Sequence, residues 1–337
     1  MNSPVKPLEA RLLAQRARAS IDPAERERLR QVRVGAVLVT YNSERWLDDC
    51  FRGLGRQDKV DLRVYVVDNG STDGTLAHVA ALDTPLRVTP IPLGANRGYA
   101  VACNAGIRAA LAEDVDYVLI LNPDVELLDG ALAEMVLVSL AEPRLGPVSP
   151  LHVNREGDRV EPGCYWFVRH TGALREEPPA AAELQRHYPI EYLSGAIMLL
   201  SRDMLERVGW FDELFFFFGE DNDLCRRSYL AGYPPAVAVR AQAFHWHATY
   251  RGLDAFRRSA QRRANYGLIL KKPTRWFWLN TLLTLVKFAL DLRRVNADPD
   301  ERRRAFADLR TVFAGFWALR ASRARDRARI RAALGRA

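Results

Sequence analysis

Gly35-Ala36-Val37-Leu38-Val39-Thr40-Tyr41-Asn42-Ser43 decides the fold. Residues 35–40 form the short continuous apolar run of a strand buried on both faces. Ser43 then caps a helix whose apolar positions Trp46, Leu47, Cys50, Phe51 and Leu54 recur at helical spacing. Working outward, a second such run at 62–67 ends in Asp68-Asn69-Gly70, and a third at 117–121 ends at Asn122-Pro123-Asp124. Between them, residues 98–111 are rich in small side chains and carry the stripe Tyr99, Cys103, Ile107, Ala110, which suits a crossover helix. Strand, helix, strand, helix, strand predicts an open α/β sheet.

After Pro150 the pieces shorten. A strand is expected at 192–200, a short helix at 204–208, a helix at 224–230 closed by Gly232, and a strand at 236–245, all continuing the same sheet with no Pro/Ser-rich linker. Residues 1–33 read as an N-terminal helical extension, 34–250 as the main domain, and 251–337 as a basic amphipathic helical region.

With 337 residues, 48% hydrophobic and 27% charged, the chain fits a soluble globular protein and neither a disordered nor a fibrous one. Its net charge of +8 sits in the tail: residues 301–337 hold 11 Arg against 3 acidic residues, leaving the first 300 neutral. A neutral body argues against a nucleic-acid groove and makes the tail the anion-attracting element. Cys50, Cys103, Cys164 and Cys225 show no C-x-x-C spacing, and the first residues lack an apolar signal-peptide core, so a reducing, cytoplasmic compartment is expected.

Residues 276–290 form an apolar stretch flanked by Lys271, Lys272 and Arg275 and by Arg293 and Arg294. The stretch falls short of the roughly 20 apolar residues that cross a bilayer. Its aromatic start and cationic flanks resemble an interfacial helix, and a following helix gathers Phe306, Leu309, Phe313, Phe316 and Trp317 on one face amid arginines. The expectation is a peripheral position on the cytoplasmic face of the plasma membrane; for the first helix, packing on the body or on a second subunit in a homo-oligomer is the alternative.

Three strand ends carry polar residues: Thr40-Tyr41-Asn42, Asp68 through Asp73, and Asn122-Pro123-Asp124. Each alone is ordinary turn chemistry. Together they converge where open parallel sheets bind ligands, outside the carboxyl ends of the strands. Gly94-Ala95-Asn96-Arg97-Gly98 precedes a helix and can hold phosphate oxygens, yet it is neither a dinucleotide fingerprint nor a P-loop. Further on, Glu220 and Asp221 stand directly behind Phe215-Phe216-Phe217-Phe218. An apolar wall raises carboxyl pKa values and suits a general base. Equally, the phenylalanines could end a buried strand, with Glu220, Asp221 and Asp223 capping a helix that starts near Asn222.

The ordered set of these motifs, with Asn104, Ser194-Gly195-Ala196 and Gly209-Trp210-Phe211-Asp212-Glu213, resembles the family 2 glycosyltransferases, closest to their bacterial rhamnosyltransferase-like branch. That resemblance implies the GT-A nucleotide-diphospho-sugar transferase fold, a mixed, mostly parallel sheet flanked by helices, with a C-terminal helical extension. It divides 34–250 into a nucleotide-sugar half (34–125) and an acceptor half (126–250). It implies that Thr40, Tyr41, Asn42 and Asp68 hold the base and ribose; that Asn96, Arg97, Gly98 and Asn104 lie on the donor side; and that Asp124 binds Mg²⁺ or Mn²⁺ at the diphosphate, with His245 or His247 able to reach the metal. Asp221 would be the base on the acceptor hydroxyl, with Glu220 in support. The expected activity is inverting transfer of one sugar, rhamnose by the resemblance, from a dTDP- or UDP-sugar to a lipid-linked or cell-surface glycan.

Two departures matter. Asn122 stands where the family's metal motif usually has a first aspartate, and no Q-x-x-R-W follows Asp221, which favours single transfer over polymerisation. The rival readings are a sugar-nucleotide nucleotidyltransferase, which would carry a Gly- and Lys/Arg-rich loop after the first strand, and a degenerate transferase acting as a membrane scaffold.

Overall fold

The structure is a computed structural model that describes residues 7–15, 21–170, 183–246, 254–273, 276–294 and 298–335. Two short helices, α1 (Pro7–Leu13) and α2 (Pro23–Arg30), lead into β1 (Arg33–Thr40). They are not a detached extension: Leu8 and Leu12 of α1 and Leu29 of α2 are fully buried, and Glu9 accepts the backbone N–H of Val160 at 3.0 Å. There follow α3 (Leu47–Gly55), β2 (Asp61–Asp68), α4 (Thr75–Ala81), β3 (Arg87–Pro92), α5 (Tyr99–Ala112), β4 (Tyr117–Leu121), β5 (Val125–Leu127), α6 (Ala131–Ala141) and β6 (Val148–Val153). The second half adds α7 (Pro162–His170), β7 (His187–Pro189), β8 (Ile197–Ser201), α8 (Arg202–Val208), α9 (Glu220–Leu230) and β9 (Ala236–His245), and ends in α10 (Ala255–Leu270), α11 (Phe277–Arg294), α12 (Pro299–Ala314) and α13 (Phe316–Ala333).

All nine strands join one sheet in the order β3-β2-β1-β4-β8-β6-β9-β5, with β7 also on β9. Pairing is parallel from β3 to β4 and again between β6 and β9; β8 runs antiparallel to both β4 and β6, and β5 and β7 run antiparallel to β9, giving the mixed, mostly parallel sheet expected. Alternate residues of the apolar runs feed opposite cores. Val37 and Val39 join one cluster with Val118 and Ile120, whereas Ala36 and Leu38 join the other with Leu119 and Leu121. Both faces are dry, which is why these strands read as unbroken apolar runs.

Because β2 and β4 flank β1 on opposite sides, the connections diverge there, and the loops after β1 and β4 lie at the position where open α/β sheets bind ligands. Of the last helices, α10 and α13 both touch α9, and α11 and α12 pack on α10. Arg262 on α10 is buried between Glu301 (2.9 Å) and Asp308 (2.8 Å) of α12. The single helix expected through Phe306 and Trp317 is broken at Gly315 into α12 and α13.

Candidate active site

The loops after β1 and β2 are knitted together by short polar side chains. Thr40, fully buried, donates its hydroxyl to Asp68 Oδ1 at 3.1 Å, and Asp68 Oδ2 accepts the backbone N–H groups of Gly70 (3.2 Å) and Ser71 (3.0 Å). Asn42 sits in the left-handed region at φ 52°, a conformation Asn tolerates better than most residues. Its N–H donates to Ser71 Oγ (2.9 Å) and its Oδ1 accepts the N–H of Thr72 (2.8 Å). Thr40, Asn42 and Asp68 thus build the frame, and Tyr41, 51% exposed, is the side chain that the frame presents.

The next loop is hung on this one. Asn69 donates to Asn96 Oδ1 (3.1 Å) and accepts the N–H of Arg97 (2.8 Å), while Asn96 Oδ1 also accepts the N–H of Gly98 (3.0 Å). Arg97 is left exposed at the start of α5. Gly98 has φ 92°, and a Cβ there would fall 2.7 Å from the carbonyl oxygen of Phe216, which accepts the N–H of Tyr99 at 2.8 Å. Only glycine permits that approach.

The phenylalanine segment is therefore a turn and not a strand end. Phe215 is buried against Gly267, Phe216 lends its backbone to α5, and Phe217 and Phe218 pack ring to ring at 4.2 Å. Phe218 adopts φ 66° and Gly219 φ 90°, launching α9 directly at Glu220. A left-handed phenylalanine costs about 1–2 kcal/mol and persists only where its surroundings fix it.

Asp221 is held by three donors: the Tyr192 hydroxyl (2.8 Å) and the Gly195 N–H (3.0 Å) on Oδ2, and the Asn222 N–H (2.7 Å) on Oδ1. The Gly195 carbonyl lies 2.8 Å from the Tyr99 hydroxyl, itself 2.8 Å from Asn122 Oδ1. A continuous chain of contacts therefore runs from Asp221 to the Asn122-Pro123-Asp124 loop, with Asn122 serving as a brace. Glu220 is buried, and its Oε2 has no hydrogen-bond partner among the described residues. Burial, reinforced by the charge of Asp221, pushes Glu220 up to about 8. Burial also raises Asp221, opposed by the hydrogen bonds from Tyr192, Gly195 and Asn222.

A measurable consequence follows for stability. Since folding raises the Glu220 pKa from 4.5 to about 8, its contribution is fully present below the lower value and is lost as pH rises through the upper one. Urea unfolding of the wild type should show stability falling between about pH 5 and pH 8.5. Glu220→Gln should flatten that fall; an unchanged slope would show that Glu220 is ionised in the fold.

The register Val125↔His245 between β5 and β9 sets a carboxylate beside an imidazole: Asp124 Oδ1 and His245 Nε2 are 3.7 Å apart. Behind His245, His152 and Glu161 bring their ligand atoms within 4.8 Å of it and of one another. Sequence reasoning missed those two, which lie on β6 and just before α7 with no motif of their own. His247 lies outside the described residues.

Asn104 does not join the donor loops. Its amide is spent on the backbone of Phe211, donating to the carbonyl (3.0 Å) and accepting the N–H (3.2 Å), and on Glu213 (2.9 Å), so it clamps the approach to the phenylalanine turn. A trio of carboxylates, Asp212, Asp223 and Asp326, has spacing that could hold a metal, but Lys271 Nζ sits among them, 2.9 Å from Asp223 and 3.1 Å from Asp326 and paired with Asp212. Beside the Tyr192–Asp221 bond, Phe167, Tyr192 and Leu193 border a cavity of about 190 Å³. A larger one, about 580 Å³, lies at the other ends of the strands among Arg28, Asp116 and Tyr117, and shares no residue with these loops.

A mixed α/β sheet flanked by helices, whose strand-end loops present an exposed tyrosine and an exposed arginine, has the architecture of the GT-A glycosyltransferase fold. Solved structures of that fold align with the chain. A mannosyltransferase, PcManGT from Pyrobaculum calidifontis in complex with GDP-Man and Mn²⁺, has TM-score 0.53 at 22% identity over 97% of both chains. TarS 1–349 of S. aureus in complex with UDP-GlcNAc has TM-score 0.54 at 18% identity over 90% of both. The family described as Glycosyl transferase family 2 matches residues 36–209, and the chain belongs to it. Among relatives, the N-acetylglucosaminyl-diphospho-decaprenol L-rhamnosyltransferase of Mycobacterium tuberculosis is 30% identical over 283 residues, 76% of this chain and 90% of that one. The low-salt glycan biosynthesis hexosyltransferase Agl10 of Haloferax volcanii is 27% identical over 57% of this chain and 60% of its own. The enzyme is a glycosyltransferase, rhamnosyltransferase-like, and family membership sets aside the nucleotidyltransferase reading.

Proposed function

We propose that this glycosyltransferase moves a single rhamnosyl group from a dTDP- or UDP-activated donor to a lipid-linked glycan acceptor, with inversion, at the cytoplasmic face of the membrane. The observation that carries the chemistry is Asp221, raised in basicity by burial and tied through Gly195 and Tyr99 to the loop of Asp124. The acceptor hydroxyl oxygen attacks the anomeric carbon and passes its proton to Asp221. The bond from that carbon to the diphosphate oxygen breaks, and the nucleoside diphosphate departs with the electron pair.

Tyr41 would stack on the base and Arg97 would pair with the diphosphate, both being exposed on the strand-end loops. The 3.7 Å between Asp124 Oδ1 and His245 Nε2 fits two ligands of one Mg²⁺ or Mn²⁺. Bound there, the cation would offset charge on the departing diphosphate. Residues 34–125 then supply the donor half and 126–250 the acceptor half, with the cavity beside Tyr192 on the acceptor side. The choice of rhamnose and of a lipid-linked acceptor is supported by the name of the mycobacterial relative.

The test is release of nucleoside diphosphate from a panel of sugar nucleotides with an N-acetylglucosaminyl-diphospho-lipid. Acceptor-dependent release from a deoxythymidine- or uridine-diphospho-rhamnose is expected, and Asp124→Asn should raise the Mn²⁺ concentration needed for half-maximal rate. Release only from a guanosine-diphospho-sugar would contradict the donor assignment.

A further inference from the structure

We infer that the outward face of α11 is a docking surface for an anionic lipid bilayer. The inference deepens the membrane placement proposed above and is independent of which sugar is transferred. On a helix packed against a water-soluble body, apolar residues face inward and polar residues outward. In α11 the order is reversed. Asn280, Thr284, Lys287 and Asp291, spaced four, three and four apart, lie on the face turned to the protein. Asn280 donates to the carbonyl oxygens of Leu270 (3.3 Å) and Lys272 (2.8 Å), Thr284 donates to the Asn280 carbonyl (2.9 Å), and Asp291 accepts from Tyr266 (3.1 Å) and pairs with Lys287.

What faces outward is apolar: Trp278 is 71% exposed and Leu282 57%, and Leu279, Leu283, Leu285, Val286 and Leu290 are exposed beside them. A contiguous apolar patch of this kind marks an interaction site. No helix of the described residues is long and apolar enough to cross a membrane, so α11 lies along a surface.

Charge selects the partner. All three acidic residues of 301–337, Glu301, Asp308 and Asp326, are buried in ion pairs with Arg262, Lys271 and their neighbours. Meanwhile Arg302, Arg303, Arg310 and Arg320 are exposed, as are Arg293 and Arg294 at the end of α11. The exposed charge of these helices is therefore mainly basic, with Asp298 and Asp300 at the start of α12 as exposed acids. Indole rings near the start of an apolar face, ringed by outward guanidinium groups, match the interface of a membrane bearing anionic headgroups. A second copy of the chain, with the same positive surface, would meet like charge.

The test uses the full chain in flotation with vesicles of phosphatidylcholine alone or with phosphatidylglycerol. Binding to the anionic vesicles, a blue shift of tryptophan emission, and partitioning lowered roughly tenfold or more by L282E/V286E are expected. Trp278→Ser, a single change at an exposed position, provides a second variant, and unchanged turnover on a water-soluble acceptor shows that both remain folded and that the transfer chemistry stands apart. The inference is overturned if the wild type stays unbound, if both variants bind like the wild type, or if the chain forms a dimer that L282E/V286E dissociates while vesicles are ignored.

Discussion

Asp221→Asn is expected to lower kcat by about 10²–10⁴-fold, the usual contribution of a general base, with little change in KM for the donor. The residue can be singled out among three neighbouring acids because their surroundings differ. Asp223 is fully buried, and although burial opposes its charge, Arg227, Lys271 and Arg226 hold it well below the usual carboxylate range, so it cannot accept a proton near neutrality. Glu220 is pushed up to about 8 by burial and then by Asp221, and its Oε2 has no hydrogen-bond partner among the described residues to fix its direction. Asp221 alone combines partial exposure with hydrogen bonds that keep its charge and fix its direction. Asparagine keeps the shape and can still meet Tyr192, so stability should change little while the proton acceptor disappears. An equal fall in the Glu220→Gln variant would move the role to the pair.

Lys271→Met should be the most destabilising single change, costing about 3–5 kcal/mol, since it leaves buried carboxylates without their cation. Lys271 is almost wholly buried and is shared by Asp212 of the phenylalanine segment, Asp223 of α9 and Asp326 of α13. Arg227 supports the same group, 2.7 Å from Asp223 and 3.7 Å from Asp326. The hub thus bolts the last helices onto the helix that begins at Glu220 and Asp221. Asp326→Asn should cost less, because Lys271 keeps two partners. Thermal or urea unfolding of the two variants checks the order; equal, small losses would show that water reaches the cluster.

The parts of the fold that were legible in the sequence are those where one physical demand dominates. Strands β1, β2 and β4 are buried on both faces and read as apolar runs, and β9 runs from Ala236 to His245 as its residues predict. Other elements hide their signal. β3 lies at the sheet edge with Pro90 and Pro92, and α6 is buried around nearly its whole circumference, which erases helical periodicity. Pro150, after which the pieces shorten, lies inside β6, where the register shifts between Pro150 and Leu151 and absorbs the missing N–H.

The site divides in the same way. Its loops were visible because turn residues cluster at three strand ends, but the division of labour inside them depends on distances. Asn104 has donor-side company in sequence and a clamping role in space. Lys271 read as a cationic flank of an apolar stretch and is instead the centre of a buried ion cluster. The stretch 276–290 read as apolar, and only the packing shows that its polar residues Asn280, Thr284, Lys287 and Asp291 face the protein.

The anomeric configuration of the product, read by NMR, tests the central claim most directly. Attack by an oxygen deprotonated by Asp221, on the face opposite the departing diphosphate, predicts a product of configuration opposite to the donor's. A product that retains the donor's configuration would contradict it, since that outcome requires a second displacement for which this account supplies no nucleophile.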